Sequence, residues 1–263
     1  MPSTTMINLA ASALPNDPAA GVLGPMAAVV AMLASIALLR RAGAILDRLR
    51  SDFGGDLALA LEHRAAGAYL AFWHRARFEG VEGLALDAGP LIVAANHTCG
   101  LDPVLLQMPL RRRIRWMMWR GQMKPWLGPV WRHFAVLAVE QDGRDVAAVR
   151  ESLRELRAGG VIGIFPEGGV ARPPWVLRPF ETGLGVLAAR GNAPVLLCLV
   201  EGTPAPRIFS SLLVRSRSVV RVIGLFRPAS DEQPAAFGAR LQATLAAASG
   251  WPCATAPAAE APR

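Results

Sequence analysis

Apolar and polar positions along this chain fall into blocks whose period switches repeatedly between that of a strand and that of a helix. Leu91-Ile92-Val93-Ala94-Ala95 is a short unbroken apolar run, which predicts a strand buried on both faces. Comparable runs cover residues 114–119, 134–139, 161–165, 194–200 and 219–225, with a shorter one at 77–81. Between them Val146, Val149, Leu153 and Leu156 recur at helical spacing, and Gly159-Gly160 end that helix. Its other face carries Arg150, Arg154 and Arg157, a solvated face or a greeting for an acidic carrier. Further helices are predicted at 103–109, 183–190 and 234–248, with 124–129 as a turn-rich connector. Asp102-Pro103 has the form of an N-cap followed by the first helical position. Strands alternating with helices in this order predict an α/β fold, a mostly parallel sheet flanked by helices.

The first quarter of the chain follows another pattern. Residues 1–18 are small, polar and proline-containing, and are expected to be disordered. Residues 19–39 carry no charge, a length that matches a hydrocarbon core of about 30 Å. Arg40, Arg41, Arg48 and Arg50 follow, and no Lys or Arg precedes, which places the rest of the chain on the cytoplasmic side of a membrane. A cleaved signal peptide fits badly without a leading basic region. Gly21, Gly24 and Pro25 leave two forms open, a transmembrane helix and one that only half-inserts. Residues 40–76 are expected to form a membrane-proximal amphipathic segment, including a helix from 56 to about 73 that lies on the membrane or packs on the domain. The α/β domain then occupies 77–250, and 251–263 is an Ala/Pro tail expected to be disordered.

Composition narrows the partners. Apolar residues make up 52% of the 263, rich for a domain that never meets a membrane. The net charge of +8 and pI of about 11.0 favour anionic partners. No zinc-finger spacing or other nucleic-acid signature accompanies the charge, so a DNA or RNA role is not expected. The 3 cysteines form no close pair, which argues for a reducing compartment, and no ligand spacing supports a metal site. Arginines interleaved with tryptophans at 111–120 suit a lipid headgroup boundary or, as readily, a basic loop before a core strand. Walker, nucleophile-elbow and dinucleotide-binding motifs are absent; Gly183-Leu184-Gly185 lies inside a helical pattern.

The candidate chemistry sits at two strand ends. Asn96-His97-Thr98-Cys99-Gly100-Leu101-Asp102 places a histidine and a carboxylate in one turn, where the carboxylate can orient the imidazole or simply cap a helix. Pro166-Glu167-Gly168-Gly169 follows the apolar run at 161–165, and its glycines let backbone N–H groups approach an anion.

Asn96-His97 with Asp102-Pro103, then Phe165-Pro166-Glu167-Gly168, resembles the glycerophospholipid acyltransferase family, membrane enzymes that acylate glycerol phosphate and lysophospholipids. The resemblance covers residues 77–225 and includes Arg178-Pro179-Phe180 and Ala193-Pro194-Val195. It implies His97 as general base on an acceptor hydroxyl, Asp102 as its orienting partner, and an acyl-CoA or acyl carrier protein donor with no further cofactor. It implies an acceptor site built from Asn96, Glu167, Gly168 and Gly169, with membrane lipids as partners. Cys99 is not required as a nucleophile. Two departures stand out. The family's second motif commonly ends in an arginine that contacts the acceptor phosphate, where this chain has Gln141. The third commonly continues Gly-Thr-Arg, where this chain has Gly168-Gly169-Val170. Arg144, Arg172 and Arg178 are the candidates to restore the missing charge. Three expectations remain: acylation of a lysophospholipid such as 1-acylglycerol-3-phosphate, the same chemistry on an acceptor without a phosphomonoester, and an inactive lipid-binding module.

Overall fold

The computed structural model describes residues 18–84, 86–140, 145–171, 174–204 and 210–254, with side chains from residue 31 onward. Helix α1 (Pro18–Ser51) is a continuous helix of 34 residues, and most of it belongs to a unit of its own that ends at Leu49. Met32, Leu33, Ile36, Leu38 and Leu39 on it are exposed. Among the described residues no helix is long and apolar enough to cross a membrane. The expected span at 19–39 falls partly on residues 19–30, whose side chains lie outside the described set.

The second unit holds the α/β body. Gly54 and Gly55, both at positive φ, turn the chain out of α1, and Asp56 accepts the Leu59 N–H at 2.9 Å to cap α2 (Leu57–Trp73). Strands β1 (Arg77–Glu79), β2 (Leu91–Ala95), β3 (Ile114–Trp119), β4 (Leu137–Val139), β5 (Val161–Ile164), β6 (Val195–Glu201) and β7 (Val219–Phe226) alternate with helices. These are α3 (Asp102–Gln107), α4 (Gly128–His133), α5 (Val146–Arg157), α6 (Gly183–Gly191) and α7 (Pro234–Ser249). Together the strands form a seven-stranded sheet in the order β1-β7-β6-β2-β5-β3-β4. Every pairing is parallel except β6 with β7.

β2 lies between β5 and β6, and all five of its residues are buried. Its side chains alternate between two cores, as strand pleating requires. Val93 and Ala95 pack with Leu70 of α2 and Leu105 and Leu106 of α3; Ile92 and Ala94 pack with helices α5, α6 and α7 through Leu156, Leu184 and Phe237. Burial on both faces explains why this strand reads as continuous apolar sequence rather than as alternation.

Three sequence expectations change. Residues 128–133, the first two of them assigned to the connector, are helix α4: a proline in the first turn suits a helix start. Ala135 then adopts φ 48° and the Val136 N–H reaches back to the Trp131 carbonyl, so the strand begins only at Leu137. Asp102 is not an N-cap. Leu101 holds that position without a side-chain bond, because the Asp102 carboxylate is taken by the turn behind it. Residues 251–254 are ordered against the body rather than part of a free tail. Leu177 donates to the Pro252 carbonyl and accepts from the Ala254 N–H, at 2.9 and 2.8 Å, and Trp251 meets Trp175 edge to face. The remainder of the tail, 255–263, lies outside the described residues, as do residues 1–17.

Candidate active site

The parallel register sets Ala94 beside Ile164, so the turns leaving β2 and β5 emerge together at one sheet edge. Edges of this kind, at the carboxyl ends of parallel strands, are where α/β sheets bind ligands. The His97 N–H donates to Glu167 Oε1 at 2.9 Å, and the Arg178 N–H donates to Oε2 at 3.0 Å. The His97 carbonyl accepts from the Ala171 N–H at 2.9 Å. One buried carboxylate therefore fastens the two turns across a separation of 70 residues. Burial pushes the Glu167 carboxyl above its usual range, against the two N–H donors and the nearby charges of His97 and Arg178.

Asp102 is fully buried, and its oxygens meet only donors. Oδ2 accepts from the Thr98 N–H at 2.6 Å and the Cys99 N–H at 2.9 Å; Oδ1 accepts from the Thr98 hydroxyl at 2.7 Å. The third partner of Oδ2 is His97 Nδ1, at 2.8 Å. Facing an acceptor-only carboxylate, Nδ1 carries the ring proton and Nε2 keeps its lone pair. The imidazole is also clamped from the side. It stacks on Phe165 at 4.0 Å and 12°, and Phe165 stacks on Trp116 at 4.8 Å and 12°. Trp116 lies across Gly163: a Cβ there would come within 2.4 Å of the indole, so β5 must leave that position bare. A glycine inside an apolar run was the available signal for this ring stack, which sequence reasoning missed.

Asn96 is buried and acts as an extra peptide unit. Its Nδ2 donates to the Val200 carbonyl and its Oδ1 accepts from the Val200 N–H, both at 2.8 Å, which extends the β2–β6 ladder past Ala95. Asn96 thus positions the turn with the whole of its amide. Thr98 shares its hydroxyl with Thr203 at 2.7 Å, tying the same turn to the segment after β6. Gly168 turns the chain at φ 71°, and Gly169 lies against the Arg178 guanidinium. The Cys99 thiol is pushed up to about 11 by burial and then by the Asp102 charge, the wrong direction for a thiolate nucleophile. Gln141, Arg144 and Arg172 lie outside the described residues. Among those described, no three His, Cys, Asp or Glu side chains are grouped to hold a metal ion.

A histidine backed by a carboxylate, at the carboxyl end of a central parallel strand, is an arrangement able to take a proton from a substrate hydroxyl. Comparison with known proteins agrees. Residues 75–200, from just before β1 into β6, match the family model described as Acyltransferase, and the chain is an acyltransferase. Among solved structures, the 1-acyl-sn-glycerophosphate (LPA) acyltransferase PlsC from Thermotoga maritima shares the fold, with a TM-score of 0.53 at 19% sequence identity. That match covers 80% of this chain and 87% of the other. No curated protein sequence matches the chain.

Proposed function

We propose that this enzyme transfers a fatty acyl chain from acyl-CoA or acyl carrier protein to a hydroxyl of a lysophospholipid such as 1-acylglycerol 3-phosphate, at the cytoplasmic face of a membrane. The observation that carries the reading is the fixed His97–Asp102 pair with Nε2 left as acceptor. Nε2 takes the proton of the acceptor hydroxyl as its oxygen attacks the thioester carbonyl. Asp102 stabilises the imidazolium that results. Collapse of the tetrahedral intermediate breaks the C–S bond, and the imidazolium returns the proton to the leaving thiolate. No acyl-enzyme is needed.

A lipid acceptor is supported by the body's own surface. Leu61 and Phe72 of α2 are exposed, Leu213 and Val214 form an uncovered tip at the Trp73 end of that helix, and Arg215 lies over the Trp73 ring at 4.6 Å. The Trp73 indole donates to the Leu213 carbonyl, so helix and tip form one surface. Apolar side chains with an aromatic and a cation suit the headgroup boundary. Residues 19–39 supply a second attachment, spanning or half-inserted. The acceptor specificity of the Thermotoga maritima enzyme points the same way.

A second reading keeps the chemistry and changes the acceptor to a lysolipid without a phosphomonoester, favoured by Gln141 and Val170 where the family commonly has arginine. Purified protein assayed with acyl-CoA against a panel of lysolipids tests both. Preference for 1-acylglycerol 3-phosphate, abolished in His97→Ala, is expected. Turnover undiminished in that variant, or transfer to none of the panel, would sink the proposal.

A further inference from the structure

Arg178 enters the loop between β5 and α6, and its backbone is held by the same Glu167 carboxylate that holds His97. Its side chain is treated differently from every other charged group of the site. Nε is buried and has no hydrogen-bond partner, and no ion pair or hydrogen bond joins the guanidinium to a described residue. The Glu167 carboxylate does not change this, because it is committed to two backbone N–H groups. A buried unsatisfied donor on a charged group is costly, and such a group is retained where a ligand supplies the partner.

The neighbouring sequence makes room for it. A Cβ on Gly169 would stand 3.1 Å from Arg178 Nη1, so the bare turn gives the guanidinium close contact that a side chain would have to share by a shift of a few tenths of an ångström. Where the family's third motif commonly has threonine and then arginine, this chain has Gly169 and Val170. The missing side chain and the missing cation are thus answered together by one guanidinium resting on the bare turn.

We infer that Arg178 binds the phosphate of the substrate and supplies the charge absent at Val170. The inference rests on the acyl-transfer reading and specifies its anion-binding residue. A guanidinium fork matches phosphate oxygens in a way an ammonium does not. The phosphate belongs either to the acceptor lipid or to the coenzyme A donor, and both carry the same chemistry.

The test compares wild type, Arg178→Gln and Arg178→Lys as full-length protein. Acceptors are 1-acylglycerol 3-phosphate and monoacylglycerol; donors are acyl-CoA and the phosphate-free acyl-N-acetylcysteamine. Arg178→Gln is expected to raise KM for one phosphate-bearing substrate roughly tenfold or more, with kcat little changed and partial rescue by lysine. A rise confined to the acceptor assigns the lipid phosphate, and a rise confined to acyl-CoA assigns the donor. Unchanged KM throughout overturns the inference. So does an equal loss with phosphate-bearing and phosphate-free substrates, which marks a structural role. If wild type transfers nothing, calorimetric titration with glycerol 3-phosphate and with coenzyme A replaces turnover. Binding lost in Arg178→Gln then upholds the phosphate site while the acyl-transfer reading fails. Absence of binding to wild type overturns both.

Discussion

The turn after β2 and the loop after β5 share one carboxylate, yet they are finished to different standards. In the first, Asn96 is spent on Val200, Asp102 meets five donors from His97, Thr98 and Cys99, the Cys99 thiol among them at 3.5 Å, and Thr98 reaches on to Thr203. In the second, Glu167 is satisfied, but Arg178 Nε is not. The difference separates two tasks. A base must be held in one tautomer and one orientation before the substrate arrives, so its surroundings are complete. A recognition group gains its partner on binding, so it is left without one beforehand.

His97→Ala breaks the first side of the comparison most directly. We expect kcat to fall by at least about 10² to 10⁴, the contribution of a general base, with the melting temperature close to wild type. Asp102 would keep its backbone donors in that variant, so a loss of fold would show that the turn depends on the ring itself. Next comes Asn96→Ala, which strands the Val200 N–H and carbonyl in a buried position. Chemical denaturation should register a loss of about 2–6 kcal/mol from two unsatisfied groups. A neutral result would mean that the β2–β6 ladder does not need its extra rung.

Glu167→Gln sharpens the join between the two regions. A carboxyl whose pKa is raised in the folded state binds its proton more tightly there than in the unfolded chain. Its contribution to stability is therefore full below the ordinary value of 4.5 and is lost as pH rises through the higher folded value. The stability of wild type relative to Glu167→Gln should fall as pH is raised across that interval, followed by thermal melts. A gap that widens instead would place the raised direction in error. The smallest effect is expected from Cys99→Ser, which keeps a donor toward Asp102. Acyl transfer should stay within a few-fold of wild type, and Cys99 should resist alkylation at pH about 8, because its thiol titrates near 11. Rapid alkylation coupled to inactivation would reopen a covalent route.

Much of this arrangement was legible beforehand. β2, β5 and β6 announce themselves as short apolar runs because both of their faces are buried, and α5 does so by its spacing. The two motifs were equally plain, since both sit directly after such runs. What stayed hidden has a common cause. Phe134 and Val136 look like strand but turn with Ala135 out of α4, and Trp251 looks like tail but docks on Trp175. In both cases a contact or a backbone turn outweighs local composition.

By itself the sequence determined the alternation of strands and helices and the mostly parallel sheet, because periodicity and turn residues act locally, and it offered His97 with Asp102 as a candidate pair. Only the tertiary structure decided how those residues are used. Asp102 faces back into its turn instead of capping a helix, Asn96 becomes a rung of the sheet, Trp116 and Phe165 support the imidazole, and Arg178 is left without a partner. Each outcome depends on hydrogen-bond partners and packing surfaces brought from distant parts of the chain, and a buried polar group takes its role from whichever partners the fold places within reach.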